Sequence, residues 1–204
     1  MAPRVPDHGA LPFPLAKLPC RRMVTSWESG NGIANPSRPD YPPSMTLRYL
    51  TPLGPDEQLA NGLDRPCPLA VADRVRFSEL DMLRHVNNKA YLGWFETTRV
   101  IYFETFCLSH FAQMPEPRTV MRNANVHYVK EMVEGESYIT TARVLSFRRT
   151  SYVMEQQIWS GDLRARLEAV MVLRTPDGVS GYPIPEKLAA QFREIDGAQD
   201  LSGG

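Results

Sequence analysis

The chain has 204 residues, 43% hydrophobic and 23% charged, with 23 basic and 23 acidic side chains and no formal net charge. This is the composition of a globular protein with one real core, and the balanced charge gives no electrostatic pull toward nucleic acid or an anionic membrane. Cys20, Cys67 and Cys107 are odd in number and lack C-x-x-C spacing, which argues against a disulfide framework or zinc site and fits free thiols in a reducing, cytoplasmic setting.

Residues 1–50 read as a Pro-rich, disordered extension, because "MAPRVPDHGALPFPLAKLPC" and "NPSRPDYPPS" hold no sustained period and proline removes backbone donors. Its most apolar piece, "ALPFPLAKLPC", is interrupted by prolines and a lysine and does not read as an export signal. Met45 is an alternative start that would open a more compact chain. Residues 51–68 are expected to hold a short helix and a linker, the helix over "PDEQLA" with proline early and Gly62 past its end. No run of 18 or more apolar residues occurs, so stable membrane insertion is not expected.

A globular domain is expected over 69–190. "LAVADRVRF" (69–77) alternates in part and predicts a strand. A helix follows from about Asn88 to Phe106: Tyr91, Trp94, Phe95, Thr98 and Tyr102 fall at i, i+3, i+4, i+7 and i+11, and Leu92, Phe103 and Phe106 widen that face. After residue 117 the period becomes two. "RTVMRNANVHYVK", "SYITTARVLSF", "SYVMEQQIW" and "LRARLEAVMVL" predict four strands. The intervening "EMVEGE", "FRRT" and "SGD" are short enough for antiparallel hairpins. "YPIPEKLAAQF" predicts a helix starting after Pro185, and 191–204 a loose tail. The expected class is α+β: a curved antiparallel sheet of about five strands round one long helix.

Between the first strand and the helix, Asp81, Arg84, His85, Asn87 and Asn88 fall within eight positions. A helix start presents unpaired N–H groups and a partial positive charge, which suit a developing oxyanion. If the helix begins near Asn88, the first free donors belong to Asn87, Asn88 and Lys89. Asp81, on the loop feeding that helix, could activate water or attack a carbonyl resting on the helix end. A thioester fits this equipment, since a thiolate leaves readily and asks little of a general acid.

"RFSELDMLRHVNNKAYLGWFETTRVIYF" resembles the signature of hotdog-fold acyl-CoA thioesterases of the 4-hydroxybenzoyl-CoA thioesterase type: an acidic pair, His-Val-Asn-Asn, then Tyr, an aromatic, Glu and Arg down the helix. The resemblance covers roughly 69–190 and implies acyl-CoA thioester hydrolysis with no cofactor or metal. It assigns the catalytic carboxylate to Asp81 and the carbonyl-polarising backbone N–H to Asn88. His85 and Asn87 match positions that shape the loop and helix start; His85 is a further catalytic candidate and Asn87 a substrate contact. Glu79 and Arg84 depart from the pattern, where many members have aspartate and glycine, and Arg84 bears on the loop's shape because glycine takes positive φ at little cost.

Glu96 is the runner-up catalyst. Beside an i,i+3 pair with Arg99, it matches the helix glutamate that is catalytic in a second class of hotdog thioesterase. It lies about 12 Å along the helix from Asn88, so it would act on a partner's substrate. Arg148 and Arg149, in a turn that often meets the CoA phosphates in this fold, are candidate substrate contacts. The uncovered sheet face and edge, together with the resemblance, imply a homodimer or dimer of dimers with the site at the subunit boundary. The alternatives are a non-catalytic acyl-CoA or acyl-carrier binder on the same scaffold, and a hotdog hydratase or dehydratase. No G-x-S-x-G elbow, H-E-x-x-H motif or P-loop occurs.

Overall fold

The structure is a computed structural model that describes residues 47–203. Residues 1–46, nearly all of the expected extension and with it Met45, lie outside the described residues. The elements follow the order helix α1 (Pro55–Ala60), strand β1 (Leu69–Arg74), helix α2 (Asn88–Tyr102), strands β2 (Arg118–Tyr128), β3 (Ser137–Phe147), β4 (Ser151–Ser160) and β5 (Asp162–Arg174), helix α3 (Glu186–Ile195) and the short strand β6 (Gln199–Asp200). This is the hotdog architecture, an antiparallel sheet curved round α2.

Period-two alternation decides which side of the sheet meets the helix. On β5, Ala165, Leu167, Ala169, Met171 and Leu173 face inward and join Met154 and Ile158 of β4 in one core. Against them α2 buries Tyr91, Trp94, Phe95, Thr98 and Tyr102, the stripe that the helical period predicts. Phe103 and Phe106 pack at its margin, but Leu92 is 46% exposed and lies off that stripe. Each fully buried large apolar side chain of this kind stabilises the fold by roughly 1.5–3 kcal/mol. Past Tyr102 the helical path widens into a π turn (Phe103–Cys107) and tightens into a 3-10 turn (Leu108–Phe111).

The strand order is β1-β3-β4-β5-β2, so β2 pairs with β5 and β1 with β3. The β3–β4 and β4–β5 turns are hairpins, as their lengths predict. The expected hairpin over "EMVEGE" is not one. Segment 129–136 is a crossover that leaves β2 at one edge of the sheet and delivers the chain to β3 near the other. Its backbone is satisfied on the way: Val129 N–H donates to Arg164 O (2.8 Å), Val86 N–H to Met132 O (2.9 Å) and Val75 N–H to Glu136 O (2.9 Å). The Met132 side chain is fully buried in the core, which fixes the crossover beneath the loop that precedes α2.

Two further expectations are corrected. A bulge between Val144 and Ser146 shifts the register of β3 against β4. Phe147, three positions on from Val144 and so on the opposite face under strict alternation, therefore turns inward and packs on Phe192 (ring centroids 5.7 Å). The tail is not loose either: β6 pairs in parallel with β3, and Leu201 N–H donates to Phe147 O (2.8 Å). The Asp196 carboxylate, 7% exposed, accepts from Tyr102 Oη (2.7 Å) and Val144 N–H (2.9 Å).

Residues 47–68 form a strap along β1. Leu50 N–H donates to Ala72 O (2.8 Å) and Leu53 N–H to Ala70 O (2.9 Å). Leu53 and Leu63 bury against Ala70, Ala72 and Ile139, on the sheet face away from α2. Buried Gln58 holds the strap together, bonding Leu53 O (3.0 Å), Cys67 O (3.1 Å) and Cys67 N–H (2.7 Å).

Candidate active site

The loop between β1 and α2 is built from its own polar side chains. Asp81 Oδ1 accepts from Leu83 N–H (2.8 Å) and His85 N–H (3.2 Å). The main chain closes the same turn, with Asp81 N–H on His85 O (2.8 Å) and Arg84 N–H on Asp81 O (3.1 Å). Asp81 Oδ2 has no hydrogen-bond partner among the described residues. Arg84 takes φ +62°, so the left-handed conformation that glycine favours is present with an arginine in it.

Glu79 anchors the base of the loop. Its Oε1 accepts from Trp94 Nε1 (2.8 Å), its Oε2 from Arg76 N–H (2.7 Å), and its main-chain oxygen from Asn87 N–H (2.8 Å). The carboxylate that departs from the family pattern thus ties the loop to the second turn of α2. Asn87 is the N-cap and its Oδ1 accepts from Lys89 N–H (3.0 Å). Of the three expected free donors, Asn87 and Lys89 are therefore occupied. The Asn88 N–H, first in the helix, finds no acceptor among the described residues.

Asp81, Asn87 and Asn88 line one wall of an open cleft of about 510 Å³. Val86 and Tyr91 line it too, together with Tyr128 at the end of β2 and the crossover residues Val129, Lys130 and Glu131. Burial, then the charge of Glu136, pushes the Tyr91 phenol up to about 12, so it stays neutral and able to donate. The cleft thus brings a half-buried carboxylate, a free helix-terminal N–H and an apolar inner wall to one place.

The other candidates lie elsewhere. His85 does not line the cleft; its Nδ1 is 3.7 Å from Glu131 Oε2, and its backbone bridges Val133. Glu96 is exposed on α2, and its expected pair with Arg99 is not formed, because the Arg99 guanidinium donates to Gln156 Oε1 (3.0 Å). Burial draws the Arg99 pKa below its usual value. Arg148 and Arg149 are exposed in the β3–β4 turn, outside the cleft. Conversely, sequence reasoning assigned no part in the site to Tyr128, Val129, Lys130 or Glu131; the last three lie in the segment read as a hairpin. Among the described residues no group of three or more His, Cys, Asp or Glu side chains could hold a metal ion, and no helix is long and apolar enough to cross a membrane.

The model of the thioesterase-like superfamily matches residues 75–192. The chain is similar to a solved structure of the thioesterase superfamily from Jannaschia Sp. CCS1, with 38% identity and a TM-score of 0.68 over 76% of this chain and 98% of that one. It is also similar to a thioesterase from Thermus thermophilus complexed with coenzyme A and Zn (27% identity, TM-score 0.56, 64% of this chain and 96% of that one). A predicted thioesterase from Bacillus stearothermophilus shows 26% identity and a TM-score of 0.55, over 62% and 94% of the two chains. No curated protein matches the chain.

Proposed function

The chain belongs to the thioesterase-like superfamily, and from that premise we propose that it hydrolyses acyl-CoA to a carboxylic acid and CoA, with Asp81 as the catalytic carboxylate. The observation that carries this reading is the shared cleft of Asp81 and Asn88, one side chain with an unpartnered carboxylate oxygen and one backbone N–H with no acceptor among the described residues. The thioester carbonyl oxygen would rest on the Asn88 N–H, where the helix end stabilises negative charge. Asp81 Oδ2 would then act on the carbonyl carbon by one of two routes. As a general base it takes a proton from water; hydroxide adds to the carbon, the C–S bond breaks, and the thiolate leaves and is reprotonated. As a nucleophile it forms an acyl-aspartyl anhydride as the thiolate departs, and water hydrolyses that anhydride.

Asn87 would contribute by fixing the helix start. His85 would shape the loop through its N–H on Asp81, with its ring turned to Glu131. Arg148 and Arg149 are proposed for the CoA phosphates, and the coenzyme A bound to the Thermus thermophilus protein supports CoA as the carrier. Glu96 remains the runner-up. Measuring free thiol released from a panel of acyl-CoAs, with Asp81→Asn and Glu96→Gln side by side, tests the assignment: loss in the first and retention in the second is the expected result.

The same proposal includes a homodimer through β2 and a cytoplasmic location. The β1 edge is closed by the strap, whereas β2 is an edge strand exposed along most of its length. One bare edge favours a closed two-fold pairing rather than an open filament.

A further inference from the structure

Tyr91 is 4% exposed yet lines the cleft, so it is inner wall rather than rim. It lies one turn along α2 from Asn88, about 4.5 Å of rise from the free N–H. Its ring packs on two others. Tyr128 meets it edge-on with centroids 5.2 Å apart, and Trp94 lies tilted with its centroid 5.2 Å away. Trp94 is itself stacked on Tyr138 at 4.1 Å and held by Glu79 through its indole N–H.

These four rings run in series from the cleft into the core. Trp94 and Phe95 are buried beside Tyr91 on the same helix, so a chain passing Tyr91 would have to displace buried side chains. Packed interiors do not provide such room without strain. The cleft is open, with Tyr91 at its buried end.

Resting on the acyl-CoA reading above, we infer that the Tyr91 ring closes the inner end of the cleft and sets an upper limit on acyl length, so that the site takes short-chain acyl thioesters and excludes long linear ones. The limit comes from the bulk of the ring. The hydroxyl, which has no hydrogen-bond partner among the described residues, does not set it.

The test uses the full chain and a series from acetyl-CoA to palmitoyl-CoA. Thiol release is measured with the wild type and with Tyr91→Ala, Tyr91→Leu and Tyr91→Phe; binding is measured by calorimetry with Asp81→Asn, which reads the length profile without turnover. Wild-type turnover and binding are expected to fall at least about tenfold between butyryl-CoA and palmitoyl-CoA. Tyr91→Ala and Tyr91→Leu should raise the palmitoyl-to-butyryl ratio of kcat/KM by about tenfold, and Tyr91→Phe should keep the wild-type profile. A wild type that prefers palmitoyl-CoA overturns the inference, as does an unchanged ratio in folded Tyr91→Ala and Tyr91→Leu. If the Tyr91 variants do not fold, the binding profile with Asp81→Asn decides. If the wild type releases no thiol from any acyl-CoA, the hydrolase reading fails while binding still decides the length limit. Absence of any acyl-CoA binding overturns both.

Discussion

Arg84 sits at the tip of the site loop with φ +62°, a conformation that costs an L-residue roughly 1–2 kcal/mol. Glycine there would remove that strain but would release a more flexible unfolded chain, which offsets about 0.4–1 kcal/mol. Arg84→Gly is therefore expected to stabilise the fold by about 0.5–1 kcal/mol, read as a higher urea midpoint at constant slope. Asn87→Ala removes the side chain that caps Lys89 N–H and should cost about 1 kcal/mol, measured in the same way. Residue by residue, the site is most legible in sequence where it is local. Asp81, Asn87 and Asn88 lie so close along the chain that one turn and one helix start bring them to a common cleft. Glu131 reaches the same cleft only because the chain crosses from one side of the sheet to the other, and no short-range pattern encodes that path.

Among the elements, strands and helices follow their periods, and the departures occur where one residue changes the count or where a buried polar group replaces apolar patterning. The β3 bulge moves Phe147 to the inner face, which strict alternation does not foresee. The C-terminal "DGAQDLSGG" has the composition of a loose end, yet Asp196 within it accepts from Tyr102 and Val144 and fastens α3 to the core. Burial pushes the Asp196 carboxyl up to about 6, against hydrogen bonds that favour the ion. A folded-state value above the unfolded one means the folded chain holds its proton longer. The stabilising contribution is complete below about pH 4 and is lost as pH rises through about 6. The wild type should lose up to about 3 kcal/mol over that interval, and Asp196→Asn, which cannot ionise, should flatten that part of the profile. Urea unfolding between pH 4 and 7 checks this; parallel curves for the two proteins would contradict it.

At the scale of the whole molecule, the two edges of the sheet differ. Main-chain bonds from Leu50 and Leu53 cover β1, while β2 stays open and offers Asn123, Asn125 and His127 to solvent. Asn123→Glu with Asn125→Glu would set like charges against each other across a β2–β2 two-fold, so light scattering after size exclusion should show a dimer for wild type and a monomer for the double variant; a monomeric wild type would contradict the β2 pairing. The five long strands and the central helix are legible from periodicity, but β6 and the strand order are not. The short link from β2 to β3 fits a hairpin by length alone, and only the burial of Met132 and its bond to Val86 show why the chain crosses instead. That crossover is what gives the cleft its second wall. The central claim is that Asp81 acts on a thioester carbonyl held at the start of α2, and the most direct measurement is single-turnover thiol release by folded Asp81→Asn that still binds acyl-CoA. The account predicts a fall of at least about a thousandfold. A rate within about twofold of wild type, with binding intact, would contradict it.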